Sequence, residues 1–293
     1  MSFCFDVKEE LCKISLKNDS CKLVELYGMV LFAQTVNKDC LKLSTENVFV
    51  VNRIQDFLSE LIGSFFDMNE VGVTFNAVLK GEPLDLLYGV LDINESFDIS
   101  RYLVRSYNDL ILFLRGAFIS GGYINDPLNR YHLEIVTSNY TTAKSLLELL
   151  NTNKFMFKMV VRRSSYVLYL KDSQMIYDFL YKIGARSAAF DLMNIKIEKE
   201  TNNNNNRMDN CASYNMDKAL NKAVEQVSAI ELIKSTVGLA ALPEDLLYVA
   251  VLRQENPTKS LTELTDLCDG RLSKASLSRK LNKIVEFSRS IKE

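Results

Sequence analysis

The stretch Leu114-Arg-Gly-Ala-Phe-Ile-Ser-Gly-Gly-Tyr-Ile-Asn-Asp-Pro-Leu-Asn-Arg-Tyr-His-Leu-Glu-Ile135 places a glycine inside an apolar run and ends in a turn and a β-rich segment. A second apolar run, Leu26-Tyr-Gly-Met-Val-Leu-Phe-Ala-Gln34, has its glycine 88 residues earlier. A glycine within a helix costs about 1 kcal/mol relative to alanine, so it usually has a packing reason. We therefore predict a duplicated unit whose two buried helices cross closely, backbone against backbone, at Gly28 and Gly116.

Helical patterns alternate with short β-rich runs through the first 200 residues. Turn-forming Asn, Asp, Pro and Ser residues separate the paired β-rich runs, and Gly184 stands where a helix C-cap is expected. The predicted elements are the strand Val71–Leu79, the hairpins Gly122–Ile124 with Tyr131–Val136 and Phe157–Arg163 with Tyr166–Leu170, and the helices Thr142–Leu150 and Ser173–Ile183. This αββαββα order predicts an α+β fold in which helices cover one face of the sheet.

A run of five asparagines, Asn202–Asn206, precedes a region that is helical throughout. Asparagine buries no apolar surface, so this run predicts a loop or linker. We predict an α+β domain at residues 1–200, with repeats at about 1–105 and 106–200, then a linker at 201–216 and an all-α domain at 217–293. The first helix of the all-α domain has an apolar stripe of Leu220, Val224, Val227, Ile230 and Ile233.

The composition excludes several classes of protein. The 293 residues are 47% apolar and 25% charged with a net charge of −2, which argues against indiscriminate coating of nucleic acid or membranes. No apolar run reaches 18 residues, and Asp6, Glu9 and Glu10 stand where a signal peptide would be basic and then apolar. We expect a cytoplasmic protein without a membrane partner. The six cysteines lack Cys-x-x-Cys spacing, which favours reduced, packed thiols over zinc ligands or disulfides.

The two glycine-containing helices resemble the paired central helices of the LAGLIDADG homing endonucleases. In that family each helix ends in an acidic residue, and the two carboxylates hold divalent cations over the scissile phosphates. At the matching positions this chain has Ala33 and Gly121, which offer no side-chain ligand. The nearest acids, Asp39 and Asp126, lie in polar or turn-forming stretches. The resemblance therefore implies a degenerate nuclease domain without catalytic residues, metal or cofactor, and we expect no enzyme activity.

The last helices have the order of a helix-turn-helix at about residues 258–293. Ser260 and Glu263 form a capping-box sequence, Asp269-Gly270 predicts a turn, and Ser273 can cap the final helix. The apolar stripe of that helix is Leu277, Leu281, Ile284 and Ser288. A small three-helix bundle would show the same pattern, so the distribution of charge has to separate the two interpretations.

Positive charge is concentrated in the final helix. Between Arg271 and Lys292 there are seven basic residues and one acid, Glu286. At about 100° per residue, Arg279 and Lys283 point away from the apolar stripe, toward the position of a major groove. These features favour binding of double-stranded DNA over a solvated bundle face. The predicted DNA-binding residues are Arg271, Ser273, Lys274, Ser276, Ser278, Arg279, Lys280, Asn282 and Lys283.

Two further basic residues, Lys158 and Arg162, lie four positions apart on one predicted strand face. They are candidate additional DNA contacts on the sheet, as in the LAGLIDADG endonucleases, although solvated edge residues explain them equally well. His132 is the only histidine and lies on an apolar strand, which favours a packed residue over a catalytic base.

The central stretch from Leu114 to Ile135 is similar to the corresponding segment of the WhiA family. Shorter similar segments occur at Ser2-Phe3, Asp6-Val7-Lys8-Glu9-Glu10-Leu11, Leu43-Ser44-Thr45-Glu46-Asn47, Tyr169-Leu170-Lys171, Ile183-Gly184-Ala185, Arg253-x-Glu255-Asn256-Pro257 and Leu272-Ser273-Lys274. The chain departs from the family in the final helix, with Leu277-Ser278-Arg279-Lys280 where His-Arg is usual.

The WhiA resemblance implies a degenerate endonuclease domain joined to a helix-turn-helix. It also implies a nucleoid-associated transcription regulator with roles in cell division, chromosome segregation or sporulation. Three alternatives remain open at this point: an architectural chromosome protein, a module that binds other transcription or division proteins, and a metal-dependent endonuclease.

Overall fold

The structure is a computed structural model that describes residues 2–291. Two compact units divide the chain, Met1–Lys199 and Glu200–Glu293. Lys292, one of the seven basic residues counted above, lies outside the described residues. No helix within residues 2–291 combines the length and apolar character needed to cross a membrane.

The first unit contains two copies of an αββαββα arrangement, preceded by one short helix. The helices are α1 (Phe3–Cys12), α2 (Asp19–Leu31), α3 (Val48–Ile62), α4 (Glu82–Val90), α5 (Tyr107–Gly121), α6 (Tyr140–Thr152) and α7 (Ser173–Ile183), followed by the start of α8 (Arg186–Thr236). The strands are β1 (Thr35–Val36), β2 (Leu41–Thr45), β3 (Asp67–Val71), β4 (Thr74–Leu79), β5 (Gly122–Ile124), β6 (Leu133–Thr137), β7 (Lys158–Arg162) and β8 (Ser165–Leu170).

The two repeats build equivalent antiparallel sheets, of order β1-β2-β4-β3 and β5-β6-β8-β7. This confirms the predicted α+β fold and its internal duplication. The prediction of a single strand at Val71–Leu79 was wrong, because β3 and β4 form a hairpin there. Gly72 lies at the turn with a positive φ of 64°, a conformation that glycine adopts at little cost, so the chain reverses within that run.

Helix ends follow local sequence signals. Asp172 accepts a hydrogen bond from the Met175 amide at the start of α7, and Gly184 ends that helix in the left-handed region, as predicted. Ser106 and Asp109 form a reciprocal capping box at the start of α5. These interactions satisfy amide groups that a helix end otherwise leaves unpaired, so they determine where the helices begin and end.

The helices α2 and α5 cross at the two glycines predicted to permit this contact. A Cβ atom added at Gly28 would overlap the carbonyl oxygen of Phe113, and one added at Gly116 would overlap the carbonyl oxygen of Glu25. The added Cβ atoms would also lie 2.9 Å from the backbone nitrogens of Ala117 and Met29, respectively. The helices are therefore in backbone contact, and no side chain larger than hydrogen fits at either position.

A buried ionic cluster lies beside this crossing. Glu25, which is fully buried, accepts hydrogen bonds from Arg53 Nε at 2.5 Å and from Arg115 Nη1 at 3.1 Å. Arg53 Nη1 donates to the Cys12 carbonyl at 2.7 Å and Arg115 Nε donates to the Ile183 carbonyl at 2.6 Å, whereas Arg53 Nη2 is buried without a hydrogen-bond partner. Charges taken out of water need such partners, so the cluster ties α2, α3 and α5 into one specific arrangement.

The second unit is a helical bundle with its own core. Its elements after α8 are a 3-10 turn (Leu239–Ala241), α9 (Glu244–Glu255), α10 (Leu261–Asp266) and α11 (Lys274–Ser290). The core consists of Ile230, Ile233, Leu242, Leu246, Val249, Ala250, Leu264, Cys268, Leu277, Leu281 and Ile284. This arrangement confirms the predicted all-α C-terminal domain.

The conformation predicted for the asparagine run was wrong. Residues 201–216 form no loop, since they lie within the 51-residue helix α8. Asparagine is a weak helix former but is disfavoured by less than about 0.7 kcal/mol per residue. Once a helix is nucleated, each added residue gains one backbone hydrogen bond, so extension is far less costly than nucleation. The asparagine run therefore continues the helix, although every side chain from 201 to 222 is exposed.

The buried face of the last part of α8 also differs from the predicted stripe. Leu220 and Val224 are exposed, whereas Ala223 and Gln226 are buried together with Ile230. The helix is rotated so that a small residue and an amide face the bundle. The apolar pattern thus predicted the helix and the buried positions of Ile230 and Ile233 correctly, but not the exposure of Leu220 and Val224.

Candidate nucleic-acid interface

The helix α11 is anchored on its apolar side. Leu277, Leu281 and Ile284 are fully buried, and Ser273 caps the helix by accepting a hydrogen bond from the Ser276 amide. The buried stripe and the N-cap agree with the sequence prediction. Because one face is held in the core, the opposite face of α11 has to be exposed.

The exposed face carries the residues predicted to contact DNA. Arg279, Asn282 and Lys283 are exposed, as are Arg271, Ser273 and Lys274, while Ser276, Ser278 and Lys280 are partly buried. The acid Glu286 is exposed near the C-terminal end of the same face. The positive charge is therefore concentrated on the first three turns of α11, which carry Lys274, Arg279, Lys280 and Lys283, and on Arg271 in the turn before it.

Two of the predicted cations interact with neighbouring helices. The Lys280 ammonium forms an ion pair with Asp245 on α9, and this hydrogen bond lowers the pKa of the Asp245 carboxyl. Lys274 Nζ donates a hydrogen bond to Thr262 Oγ1 of α10 at 2.9 Å. These contacts attach α11 to α9 and α10, and no sequence pattern indicated the partners.

The connection between α10 and α11 has the geometry of a helix-turn-helix. Ser260 and Glu263 form the predicted capping box at the start of α10. Asp269 and Gly270 both have positive φ values, 47° and 79°, which reverse the chain before Ser273 starts the next helix. This turn joins the six-residue α10 to the 17-residue α11 and leaves one side of α11 exposed, which is the order of elements in a helix-turn-helix.

The ends of α2 and α5, where the homing endonucleases hold their metals, are closed by packing. Ala33 is buried, with 5% of its surface exposed. A Cβ atom at Gly121 would lie 2.7 Å from the Val136 carbonyl oxygen and 2.8 Å from that of Phe32. No carboxylate side chain therefore fits at residue 121 unless the backbone moves.

The acids nearest to this position are used elsewhere or are exposed. Asp126 Oδ1 accepts a hydrogen bond from the Leu128 amide at 2.8 Å and so stabilises the turn predicted there. Asp39 is exposed between β1 and β2. Among residues 2–291 no group of three or more His, Cys, Asp or Glu side chains is arranged to hold a metal ion.

The sheet residues Lys158 and Arg162 are both exposed on one face of β7. Arg162 Nη1 lies 3.3 Å from the carboxylate of Glu134, which also lies 2.9 Å from Nε2 of His132. His132 further stacks on Tyr169 at a ring-centroid distance of 6.0 Å. Glu134 thus offsets part of the positive charge on this face, and His132 is a packed residue with an acidic neighbour.

Three basic residues next to the interface are absent from the sequence prediction. Lys218 and Lys222 of α8, together with Arg253 of α9, line a cavity bordered by α11. Lys218 and Lys222 lie more than twenty residues from the helix-turn-helix, and Arg253, although part of a WhiA-like segment, falls within an apolar pattern that gives no indication of a DNA-binding role. Only the packing of the bundle brings them near α11.

Similarity to known proteins extends over the whole chain. The probable cell division protein WhiA of Ruminiclostridium cellulolyticum is 32% identical over 315 residues, covering 100% of this chain and 99% of the relative. Its counterpart in Alkaliphilus oremlandii is 34% identical over 318 residues, covering 100% and 98%. The crystal structure of full-length WhiA from Thermatoga maritima matches with a TM-score of 0.60 at 25% identity, covering 99% of each chain.

The fold and the interface define a class of protein in which a LAGLIDADG-like domain without the two helix-end carboxylates is joined to a helix-turn-helix domain. Residues 110–202 match the WhiA LAGLIDADG-like domain, and residues 205–288 match the WhiA C-terminal HTH domain. The chain belongs to the WhiA family, which confirms the resemblance seen in the sequence.

Proposed function

We propose that this chain is a nucleoid-associated transcription regulator that binds promoter DNA through α11 and has no nuclease activity. The exposed cationic face of α11 is the observation that carries this proposal. The relatives are named probable cell division proteins, which supports a role in division, and the resemblance to the WhiA family extends this proposal to chromosome segregation or sporulation. The regulator acts in the cytoplasm, with double-stranded DNA as its principal partner and other transcription or division proteins as further partners.

The chemistry of the exposed residues suits a major groove. Arg279 can form two hydrogen bonds with guanine, and Asn282 can do the same with adenine, so both can read sequence. Lys283 and Arg271 suit phosphate groups, which position a protein without reading bases. Ser273, Ser276 and Ser278 add hydroxyl donors along the same helix.

The proposal is tested by removing the central cations of the groove-facing side. The variant Arg279→Ala with Lys283→Ala should bind a promoter duplex about 100-fold more weakly, since a bidentate arginine–guanine pair contributes about 1–3 kcal/mol and the lysine contributes a phosphate contact. The measurement is fluorescence anisotropy with the full chain and a duplex taken from genome-wide mapping of bound sites.

A matched variant, Lys17→Ala with Lys234→Ala, removes the same charge from exposed positions outside α11. Its affinity should stay within about twofold of the unsubstituted chain, because screened charges away from the interface contribute little. Equal affinities for the two double variants would contradict the proposed interface. Equal binding of promoter and random-sequence duplexes would instead favour an architectural role.

Lys158 and Arg162 are proposed as secondary DNA contacts on the sheet. The support is their exposure on a single strand face, and the neighbouring Glu134 limits the contribution of Arg162. We therefore expect their contribution to affinity to be smaller than that of Arg279 and Lys283.

A further inference from the structure

A cavity of about 570 Å³ lies within the second unit, between α8, α10 and α11. Four of its lining residues are cationic, namely Lys218, Lys222, Arg253 and Lys274, and none is acidic. Positive side chains that converge without carboxylates create a local positive potential, even though the chain as a whole has a net charge of −2. The cavity therefore has the electrostatic character of a site for anions.

Arg253 contributes a buried positive charge to the wall of the cavity. Only 2% of the residue is exposed, and Nη1 donates hydrogen bonds to the carbonyl oxygens of Lys259 at 2.6 Å and Asn256 at 3.4 Å. Its Nε is buried without a hydrogen-bond partner, and within residues 2–291 no carboxylate lies at ion-pair distance from its guanidinium. Burial lowers the pKa of Arg253, yet an arginine side chain stays protonated in proteins. Its positive charge is thus buried without a counter-ion.

The cavity continues into the proposed DNA interface. Ser278 and Asn282 of α11 form part of its wall, and both belong to the side of the helix that would face a duplex. Lys218 and Lys222 are exposed one helical turn apart on the opposite wall. A duplex whose groove receives α11 would therefore pass its phosphate backbone over the opening, between α11 and α8.

We propose that this cavity receives the backbone phosphates of the bound duplex, with Lys218 and Lys222 of α8 as phosphate ligands outside the helix-turn-helix. The inference rests on the proposed function, because it requires that α11 binds DNA. Because only 2% of Arg253 is exposed, we assign it an electrostatic contribution, which is weakly screened for a buried charge, and not a direct phosphate contact. Lys274, at the rim, completes the cationic wall.

The test compares Lys218→Ala with Lys222→Ala against the matched variant Lys17→Ala with Lys234→Ala, each in the full chain. Each phosphate contact adds about 0.9 to the slope of log affinity against log salt concentration, so the first variant should lose about 1.8 from that slope. Its loss of affinity should be the same for promoter and random-sequence duplexes, because phosphates carry no sequence information. The matched variant should keep the full slope.

The outcomes separate this inference from the proposed function. If the unsubstituted chain binds DNA but the Lys218 and Lys222 variant keeps its salt slope, the inference is overturned and the proposed function stands. If the unsubstituted chain binds no duplex at low salt, both fail. Calorimetric titration with inorganic phosphate provides a third arm. The unsubstituted chain could bind phosphate saturably while the Lys218→Ala, Lys222→Ala variant loses that binding but keeps the salt dependence of its DNA affinity. This result would assign the cavity to a free anion and overturn the inference.

Discussion

Gly28 and Gly116 are the two residues on which the first unit most depends. A methyl group at either position would meet the backbone of the partner helix, which cannot move aside as the end of a flexible side chain can. The structural requirement is close approach, since neither glycine has a positive φ. This need was visible in the sequence because a glycine inside an apolar helix is unfavourable unless packing demands it.

Gly116→Ala should therefore lower the free energy of unfolding by about 3 kcal/mol or more, at the upper end of the range for overpacked cores. Gly89→Ala is the matched control, because a Cβ atom at this position in α4 meets nothing within 4 Å. The control should be neutral or more stable by about 0.5–1 kcal/mol, since alanine restricts the unfolded chain. Denaturant unfolding of both variants measures the difference, and a similar change in each would contradict the backbone contact.

The buried ionic cluster at the same crossing was not predictable from the sequence. Glu25, Arg53 and Arg115 are separated by 28 and 62 positions, and each lies within an apolar helical pattern. A charged residue in such a pattern gives no information about its partner. The pairing exists because three helices pack together, and the low polarity of the core then makes each hydrogen bond necessary.

Among the elements, α8 shows most clearly how neighbouring structure overrides local propensity. Its first part joins the core of the first unit through Ala188, Ala189 and Leu192, and Glu10 caps its start by accepting hydrogen bonds from the Ser187 and Ala188 amides. Its last part joins the second core through Ile230 and Ile233. The helix is thus stabilised by a core at each end, whereas the side chains of residues 201–222 are exposed.

Replacing the five residues Asn202–Asn206 by alanine should strengthen this central segment, because each asparagine is disfavoured by about 0.6 kcal/mol relative to alanine in a helix. In the unsubstituted chain, trypsin should cut first at the exposed Arg207, since segments without tertiary contacts open most easily. The alanine variant should show more negative ellipticity at 222 nm and slower cleavage at Arg207. Cleavage at the same rate in both chains would show that the asparagine run does not limit helix stability.

At the scale of the whole molecule, the proposed function assigns DNA binding chiefly to the second unit, although the first unit has the fold of a LAGLIDADG-like domain. The paired helices of the first unit form its core, and Ala33 and Gly121 at their ends have no side chain that could bind a metal ion. Positive charge is concentrated instead on α11 in the second unit. Such a chain should bind DNA without cutting it.

Supercoiled plasmid incubated with the full chain and Mg²⁺ or Mn²⁺ should therefore remain uncut under conditions in which anisotropy shows binding. The absence of carboxylates at the ends of α2 and α5 is the physical reason. The variant Ala33→Asp should also leave the plasmid intact, because Gly121 has no room for the second ligand. Metal-dependent nicking would contradict the proposed absence of nuclease activity, provided that two controls hold. The nicking has to persist after further purification, and a substitution in this chain has to abolish it.

What the sequence determined by itself is the part of the structure that depends on short-range signals. Helix caps such as Ser260 with Glu263, the apolar period of α11 and the paired glycines each act within a few residues or through one repeated pattern. They were enough to predict the α+β duplication, the helix-turn-helix and the exposed position of Arg279.

Only the tertiary structure decided which distant side chains meet. Lys222 faces Ser278 across a cavity, and Lys280 pairs with Asp245, because the bundle packs one particular set of helix faces. The helical state of Asn202–Asn206 has the same origin, since the flanking helix supplies the nucleus that an isolated run lacks. A local pattern states what a segment prefers, but contacts between segments depend on packing energies shared by residues far apart in the chain.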